Sequence, residues 1–285
     1  MNEAQASADT RAVFDDIRTT MGVAVVNLVW RRLAVVPSVL QWSWQTLKPH
    51  YSSGAIPAAA WIFREQLELP VVKQFNANEL DRLKHELIDT SVIDDILRSY
   101  ERGNALNLIA LHHLQMCLNS DNDSDEKSEL NDKQSSNDLL DSCQSANQSS
   151  DAQFGDIPGL PPLANLSDPL QSLVARSTEV WVPSNYIGVS PSVFRHLTPW
   201  PKLLLLLVSR LEELERVSVP TIDSLATQAL KMADRHAAKL GEGSGGLKEL
   251  NNTDRQWLQE VLDVFINGVL ARGVIIVPTM RLQIA

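Results

Sequence analysis

The chain has 285 residues and a formal net charge of −10, with 25 Lys and Arg against 35 Asp and Glu. Because nucleic-acid binding needs Lys and Arg clustered on one face, this charge balance argues against a nucleic-acid partner. The longest aliphatic run, Leu203 to Val208, is too short to cross a bilayer, so we expect no membrane partner.

The N-terminus and the cysteines both indicate a cytoplasmic protein. Residues Met1 to Gln5 lack the basic start and apolar stretch of a secretory signal. Of the two cysteines, Cys117 ends a helical pattern and Cys143 lies in a polar tract. We therefore expect neither a structural disulfide nor a Cys-x-x-Cys redox or metal site.

Helical periodicity marks the first part of the chain. Apolar residues recur at helical spacing, as at Phe14 and Ile17 and again around Leu83, with charged residues between them. No alternating strand pattern competes with this spacing. Asn76 or Asn78 can cap the helix that contains Leu83. The pattern predicts about five helices here and a similar number in the second part of the chain.

A stretch of different composition follows. Residues 119–153 hold nine Asp and Glu against two Lys, and most of the others are Ser, Asn and Gln. Because such a stretch buries too little apolar surface to offset its ordering entropy, it predicts a disordered acidic linker. The linker divides the chain into an N-terminal helical repeat, 1–118, and a C-terminal helical repeat, 154–285. A docking role for the acidic stretch toward a partner protein stays open.

The two helical parts resemble each other. When Pro37 is set against Pro201, segments 28–40 and 192–204 share an aromatic residue followed by Arg, a Leu, the Pro and a second Leu. Segments 96–103 and 261–268 match at an offset that differs by one residue. This predicts a duplication: two tandem repeats that form an all-α pseudo-dimer around a central cavity. Chance similarity of two helical halves is the alternative, and a homodimer of the whole chain stays open.

Glycines stand at matching places near the ends of these segments. Gly103 and Gly268 each lie inside a long apolar helical pattern. A glycine inside a helix costs about 1 kcal/mol relative to alanine. Each glycine therefore predicts a kink, a break or a close helix contact, and ordinary packing is the alternative.

Several motifs resemble the group I 2-haloacid dehalogenases. These are Val13 to Arg18, Leu33-Ala34 before Pro37, and Phe194 to Leu204 with its Trp200-Pro201-Lys202. The resemblance spans nearly the whole chain outside the linker. It implies an all-helical pseudo-dimer that needs no metal or organic cofactor. It also implies hydrolysis of the carbon–halogen bond of 2-haloalkanoic acids by an activated water, with inversion at C2.

The resemblance also places the site residues. The family's active-site asparagine falls on Asn104, and the serine and aromatic residue that flank its catalytic aspartate fall on Ser192 and Phe194. The aspartate itself falls on Val193. In the first repeat, a pocket tryptophan of the family falls on Val25, and we expect Leu28 to line the same pocket.

Valine at position 193 removes the group that would accept a proton from the attacking water. His196, three positions later, is a speculative replacement base, since a histidine accepts protons near neutral pH. A helix-surface or packing role for His196 is the alternative. His112 and His113 are adjacent, which points their rings about 100° apart on a helix, so we expect no metal site there.

Three functions remain open. The first is a hydrolase of the 2-haloacid type that uses a displaced base or a different small acid. The second is a non-catalytic relative that binds a small carboxylate or apolar ligand between the halves. The third is an interaction protein whose acidic linker recruits a partner. The expected ligand is a small molecule, a 2-substituted carboxylic acid by resemblance.

Overall fold

The computed structural model describes residues 5–23, 25–86, 90–120, 157–186, 188–217, 220–241 and 250–284. Every regular element in these ranges is a helix, which confirms the all-α fold class. The predicted linker, 119–153, lies outside the described residues except for Asn119 and Ser120, which form the end of a helix.

Six helices are described before the linker. They are α1 (Ala8–Met21), α2 (Leu28–Leu33), α3 (Pro37–Ser52), α4 (Ala55–Gln66), α5 (Ala77–Leu83) and α6 (Thr90–Ser120).

Local signals explain several of these bounds. The Ser7 hydroxyl accepts a hydrogen bond from the Thr10 backbone N–H at 3.2 Å and so caps the start of α1. Gly22 ends α1 in the left-handed conformation, with φ of 59°, which glycine adopts without steric cost. At α5, Asn76 and Glu79 form a reciprocal capping box. Of the two caps predicted for this helix, Asn76 is therefore the one used.

After the linker a 3₁₀ turn, Leu163–Asn165, precedes a second series of helices. These are α7 (Asp168–Trp181), α8 (Ser192–His196), α9 (Pro201–Val217), α10 (Ile222–Ala238), α11 (Asn252–Asp263) and α12 (Ala271–Ile284), with a π-helical stretch, Val264–Leu270, joining α11 to α12.

The two series start their helices at matching positions. Helices α2 and α8 begin at Leu28 and Ser192, and α3 and α9 begin at Pro37 and Pro201, so each pair differs by 164 positions. In α3 the proline stands at the start because it lacks the N–H that a first turn leaves unpaired. This order is what a duplication requires, and the duplication itself stays a prediction.

The two predicted glycine positions behave differently. Helix α6 runs through Gly103 without a break. Gly268 lies in the π-helical stretch, and a Cβ on it would stand 2.7 Å from Cγ of Tyr186. Gly268 thus allows a close contact with Tyr186 of the loop that follows α7, while the helical path continues through it.

The described residues form two compact units. The first unit contains the described residues up to Gln66, those from Ala105 to Ser120, and those within Leu230–Ile266. The second unit contains those within Leu67–Asn104, those from 157 to 229, and those from 267 to 284.

Each unit combines segments from both parts of the sequence. The second unit takes Leu67–Asn104 from the first part, and the first unit takes Leu230–Ile266 from the second part. These two segments begin 163 positions apart, close to the offset between the helix starts. The repeat boundaries at 1–118 and 154–285 stay a prediction. Each compact unit therefore includes one segment from the other part of the sequence.

In the first unit, aromatic residues of α2 and α3 form the core. The rings of Trp30 and Trp44 meet edge to face at 5.5 Å, and both residues are buried. The Trp44 indole N–H donates to Asp16 of α1 at 2.7 Å, and Lys48 pairs with the same carboxylate at 2.8 Å. These bonds fix α1 on α3 while the rings bury apolar surface.

In the second unit, charged residues hold segment 67–104 in place. The Glu86 carboxylate accepts a hydrogen bond from the Leu203 backbone N–H at 2.9 Å, which caps the first turn of α9. Arg210 donates to the Lys73 carbonyl oxygen at 2.6 Å. Arg281 pairs with Asp94 at 2.7 Å. The segment is thus anchored on α9 and on α12, so that α6 carries residues up to Asn104 into the second unit.

One helix, Asn252–Ile284, is long and apolar enough to cross a membrane by length and composition, with a mean hydropathy of 1.8. The residues of its apolar window are 78% buried within the molecule. A buried core helix meets the same two criteria.

Candidate ligand site

The candidate site is built on the buried amide of Asn104. Asn104 lies in α6 and is 6% exposed. Its Nδ2 is buried and has no hydrogen-bond partner among the described residues. Leaving a buried donor unpaired costs about 1–3 kcal/mol, so such groups are few in folded proteins. Asn104 Nδ2 is one of thirteen such side-chain atoms among the described residues, and it could donate to an acceptor from a bound ligand.

Gly273 of α12 lies directly against this amide. A Cβ on Gly273 would stand 3.0 Å from Asn104 Nδ2 and 2.7 Å from Cζ2 of Trp181. Contacts this short are not tolerated, so the position accepts only a residue without a side chain. Gly273 thus allows three helices, α6, α7 and α12, to meet at one point.

Trp181, the last residue of α7, is the aromatic member of the site. Its indole is 2% exposed, and its Nε1–H donates to the Val269 carbonyl oxygen at 2.8 Å. Val269 belongs to the π-helical stretch, a type of helix distortion that is frequent at functional sites. The Trp181 ring also meets Phe194 edge to face, with centroids 5.3 Å apart and an interplanar angle of 86°. This hydrogen bond and this ring contact fix the orientation of the indole.

Helix α8 carries the positions where the resemblance locates the catalytic aspartate and its neighbours. Val193 is 1% exposed, and its neighbours Ser192 and Phe194 are buried with it. Through the contact between Phe194 and Trp181, α8 joins the cluster that contains Asn104. The second unit therefore brings Asn104 from the first part of the sequence together with Phe194 from the second part.

His196 is also buried in the second unit, and both of its ring nitrogens are engaged. Nδ1 lies 3.0 Å from the Tyr100 hydroxyl, and Nε2 lies 2.6 Å from the Pro158 carbonyl oxygen. A carbonyl oxygen only accepts, so Nε2 carries the proton and Nδ1 accepts from Tyr100. This arrangement holds α8 to α6 and to the chain that follows the linker. A base role for His196 remains a prediction that requires Tyr100 to release Nδ1.

Val25 and Leu28, the two remaining predicted pocket residues, lie in the first unit. Both are half-buried, with Val25 ahead of α2 and Leu28 at its first position. Their pocket role stays a prediction.

Trp181 and Gly273 are site residues that the sequence analysis did not identify. For Gly273 a signal was present, since it is a glycine inside an apolar helix, the same feature that pointed to Gly268. Trp181 had no comparable signal, because an apolar residue at the end of a helix is ordinary. Only the contacts of its ring with Gly273 and Phe194 reveal it.

A separate cleft of about 660 Å³ lies in the second unit around Arg272. The Arg272 guanidinium is buried and bonds to Glu215 at 2.9 Å, to Asp223 and to the Val180 carbonyl oxygen. Arg176, on the same cleft, pairs with Glu212. Because two of its arginines are already neutralised by carboxylates, this cleft is a poor site for an anionic ligand.

The adjacent histidines of α6 lie in the first unit. His113 meets the ring of His50 at 4.6 Å, and its Nε2 lies 3.6 Å from the Cys117 sulfur. Burial, and next the proximity of His50, lower the pKa of His113 to about 4. His112 faces Asp234 instead, at 3.8 Å. Among the described residues, no group of three His, Cys, Asp or Glu is placed to hold a metal ion.

No family model matches the chain, and no curated protein matches it. Solved structures do. The chain is similar to a D-2-haloacid dehalogenase mutant in complex with D-2-CPA, with 16% identity and a TM-score of 0.68 over 100% of this chain and 95% of that one. It is also similar to a D-2-haloacid dehalogenase with L-LA, with 15% identity and a TM-score of 0.65 over 99% of this chain and 94% of that one. The chain therefore has the all-helical fold of the D-2-haloacid dehalogenases.

Proposed function

We propose that this chain binds a small 2-substituted carboxylic acid at Asn104 and does not hydrolyse its carbon–halogen bond. One observation carries the proposal: the buried Asn104 Nδ2, which has no partner among the described residues, shares a unit with a buried valine at position 193. By resemblance these are the positions of the family's active-site asparagine and catalytic aspartate. Two structures of the same fold hold D-2-CPA and L-LA, which supports a small acid as the ligand class.

Hydrolysis makes a demand that valine cannot meet. The water oxygen bonds to C2 while the carbon–halogen bond breaks, and the halide leaves with its electron pair. The water must then give up a proton, so that the products are a 2-hydroxy acid, halide and a proton taken by a base. General-base catalysis contributes about 10²- to 10⁴-fold, and the Val193 side chain has no atom that accepts a proton. The Asn104 amide orients an acceptor but is not a base.

Binding requires less than hydrolysis does, since it needs no proton acceptor. A carboxylate or hydroxyl oxygen that accepts from Asn104 Nδ2 satisfies a donor that is otherwise left unpaired. The bond is stronger when the accepting oxygen is charged, because charge-assisted bonds are about twice as strong as neutral ones. The resemblance places Val193 and Phe194 in the same pocket, where apolar side chains would suit the short carbon chain of such an acid.

The test measures binding and halide release separately. Titration calorimetry with each enantiomer of 2-chloropropanoate is expected to show binding to the wild type. The affinity of Asn104→Ala for the acid is expected to be lower by about tenfold or more. A halide electrode is expected to record no release above the buffer rate. Asn107→Ala is the matched control, because Asn107 is a buried asparagine of α6 in the first unit. Equal affinity of wild type and Asn104→Ala for the acid would refute the proposed site.

A further inference from the structure

We infer that the second half of α10, residues 230–238, is an acid-sensitive element that separates from the first unit before the rest of that unit opens. These residues belong to the first unit, which also contains α3 and the part of α6 from Ala105 onward. Four of the chain's six histidines form a cluster with this half-helix: His50, His112, His113 and His236. Its release does not involve the ligand site proposed at Asn104.

The second half of α10 buries little apolar surface. Its buried residues are Ala233, Ala237 and His236, so that two methyl groups and one imidazole form its packing face. Among the described residues, its ion-pairing contact with another element is that of Asp234 with His112 of α6, at 3.8 Å. Segments with few buried apolar contacts open at a lower free energy than the core around them. This half-helix is therefore held less firmly than α1, which a hydrogen bond and an ion pair fix on α3.

His113 of α6 has poor surroundings for a second proton. It is 3% exposed, and its ring meets that of His50 of α3 at 4.6 Å, with an interplanar angle of 73°. Among the described residues, the polar side-chain atom that faces its Nε2 is the Cys117 sulfur at 3.6 Å, a weak acceptor. Burial, and next the proximity of His50, lower the pKa of His113 to about 4, against the opposing effect of hydrogen bonding with the Ala237 backbone. A proton gained in acid thus places a poorly solvated charge beside a second imidazole and against α10.

Acid also adds like charge to both sides of this contact. Residues 230–239 carry three cations and one anion, which are Lys231, Arg235, Lys239 and Asp234. Burial, and next the charges of Lys239 and Arg235, lower the pKa of His236. From α4, the residue that meets the His236 ring is Phe63, at 6.4 Å, which offers no negative charge. Protonation of the His50–His113 pair therefore repels a half-helix that is already positive, and separation relieves the repulsion.

Asp234 acts in the opposite direction. Burial lowers the pKa of His112, and the Asp234 carboxylate raises it in part because it faces Nδ1 of that ring. Asp234→Asn removes this negative charge and leaves the half-helix more positive. The variant is therefore expected to separate at a higher pH than the wild type.

Amide exchange of the folded full-length chain, read by mass spectrometry at pH 7.5 and 5.0 and corrected for intrinsic rates, tests this behaviour. The pKa of His113 is about 4 in the fold and returns to its ordinary value of 6.5 on separation. We therefore expect the protection of residues 230–238 to fall by about thirtyfold between the two pH values. Helix α1, which holds no histidine, is expected to keep its protection.

Four variants decide which groups cause the change. His113→Gln is expected to reduce the fall to below about tenfold, because the ring that gains the proton is absent. His85→Gln, which removes an exposed histidine of the second unit, is the control and is expected to show the full fall. Asp234→Asn is expected to show a larger fall than the wild type. Should His113→Gln already loosen α10 at pH 7.5, His50→Gln decides, with a reduced fall expected.

Three results would overturn the inference. Unchanged protection of residues 230–238 at pH 5.0 would show that acid does not release them. An equal loss in α1 would show that the whole unit opens together. A full fall in both His113→Gln and His50→Gln would show that the imidazole pair is not the trigger.

Discussion

Two buried asparagines of α6, three positions apart, have opposite environments. In the first unit, Asn107 is fully buried and its Oδ1 accepts the Trp30 indole N–H at 2.9 Å. In the second unit, Asn104 is nearly as buried, but its Nδ2 has no partner, and the nearby Trp181 bonds to a backbone carbonyl instead. Burial alone thus does not separate a structural asparagine from a site asparagine. The state of the hydrogen bonds does.

The largest expected effect comes from restoring a base at the position where the resemblance places the catalytic aspartate. Val193→Asp is expected to release halide from 2-chloropropanoate about a hundredfold faster than the buffer rate, which the wild type does not exceed, since a general base contributes about 10²- to 10⁴-fold. A halide electrode measures it. Val29→Asp is the control, because Val29 precedes Trp30 as Val193 precedes Phe194 but belongs to the first unit. Equal halide release by the two variants would show that the gain does not depend on position 193.

Acid is expected to destabilise the first unit through its histidines. Burial lowers the pKa of His50, His112, His113 and His236 below 6.5 in the fold. The unfolded chain therefore binds more protons than the folded chain does at low pH. The histidines' contribution to the free energy of unfolding is complete above pH 6.5 and falls as the pH decreases. For His113 the decrease continues to a pH of about 4. Its contribution is on the order of 3 kcal/mol.

Denaturation at pH 7.5 and 4.5, with amide exchange to locate the opening, measures this effect. His113→Gln removes one titrating ring and is expected to flatten the pH dependence. The same slope in wild type and His113→Gln would show that His113 is not held neutral by its surroundings.

A smaller effect is expected when the structural asparagine is removed. Asn107→Ala leaves the Trp30 N–H buried without its acceptor, which costs about 1–3 kcal/mol of unfolding free energy. Asn107→Asp, which keeps the acceptor oxygen, is expected to retain the bond to Trp30 at the cost of a buried charge. Urea denaturation measures the loss. If Asn107→Ala is as stable as the wild type, the bond from Trp30 to Asn107 does not stabilise the fold, and the two asparagines do not differ in this respect.

The smallest effect on stability is expected at Asn104. Because Nδ2 has no partner to lose, Asn104→Ala is expected to change the free energy of unfolding by less than about 1 kcal/mol, well below the Asn107→Ala effect. Urea denaturation of both variants gives the comparison. A loss at Asn104 as large as at Asn107 would show that the Asn104 amide has a structural bond.

Much of the fold follows from local signals in the sequence. Apolar spacing predicted the helices, the cap at Asn76 was among the predicted alternatives, and the match of Pro37 with Pro201 anticipated two helices that begin 164 positions apart. These features depend on residues near each other in the chain, whose preferences act before tertiary packing does.

The site was only partly predictable. The resemblance pointed to Asn104 and Val193, but the contact among Asn104, Trp181 and Gly273 joins residues far apart in the sequence. Leu67–Asn104 belongs to the second unit through long-range interactions, such as the Glu86 hydrogen bond to Leu203 and the ion pair of Arg281 with Asp94. Such pairings are set by tertiary packing, and no periodicity along the chain encodes them.

The central claim is that the chain holds a small acid without hydrolysing it, and one sample tests it directly. Wild-type protein is incubated with ¹³C-labelled D-2-chloropropanoate, and ¹³C NMR records both the bound acid and any 2-hydroxy acid formed. The account predicts a bound, unreacted acid whose signal is lost in Asn104→Ala. Steady formation of the 2-hydroxy acid, retained in Asn104→Ala and abolished in His196→Ala, would contradict it and identify His196 as the base.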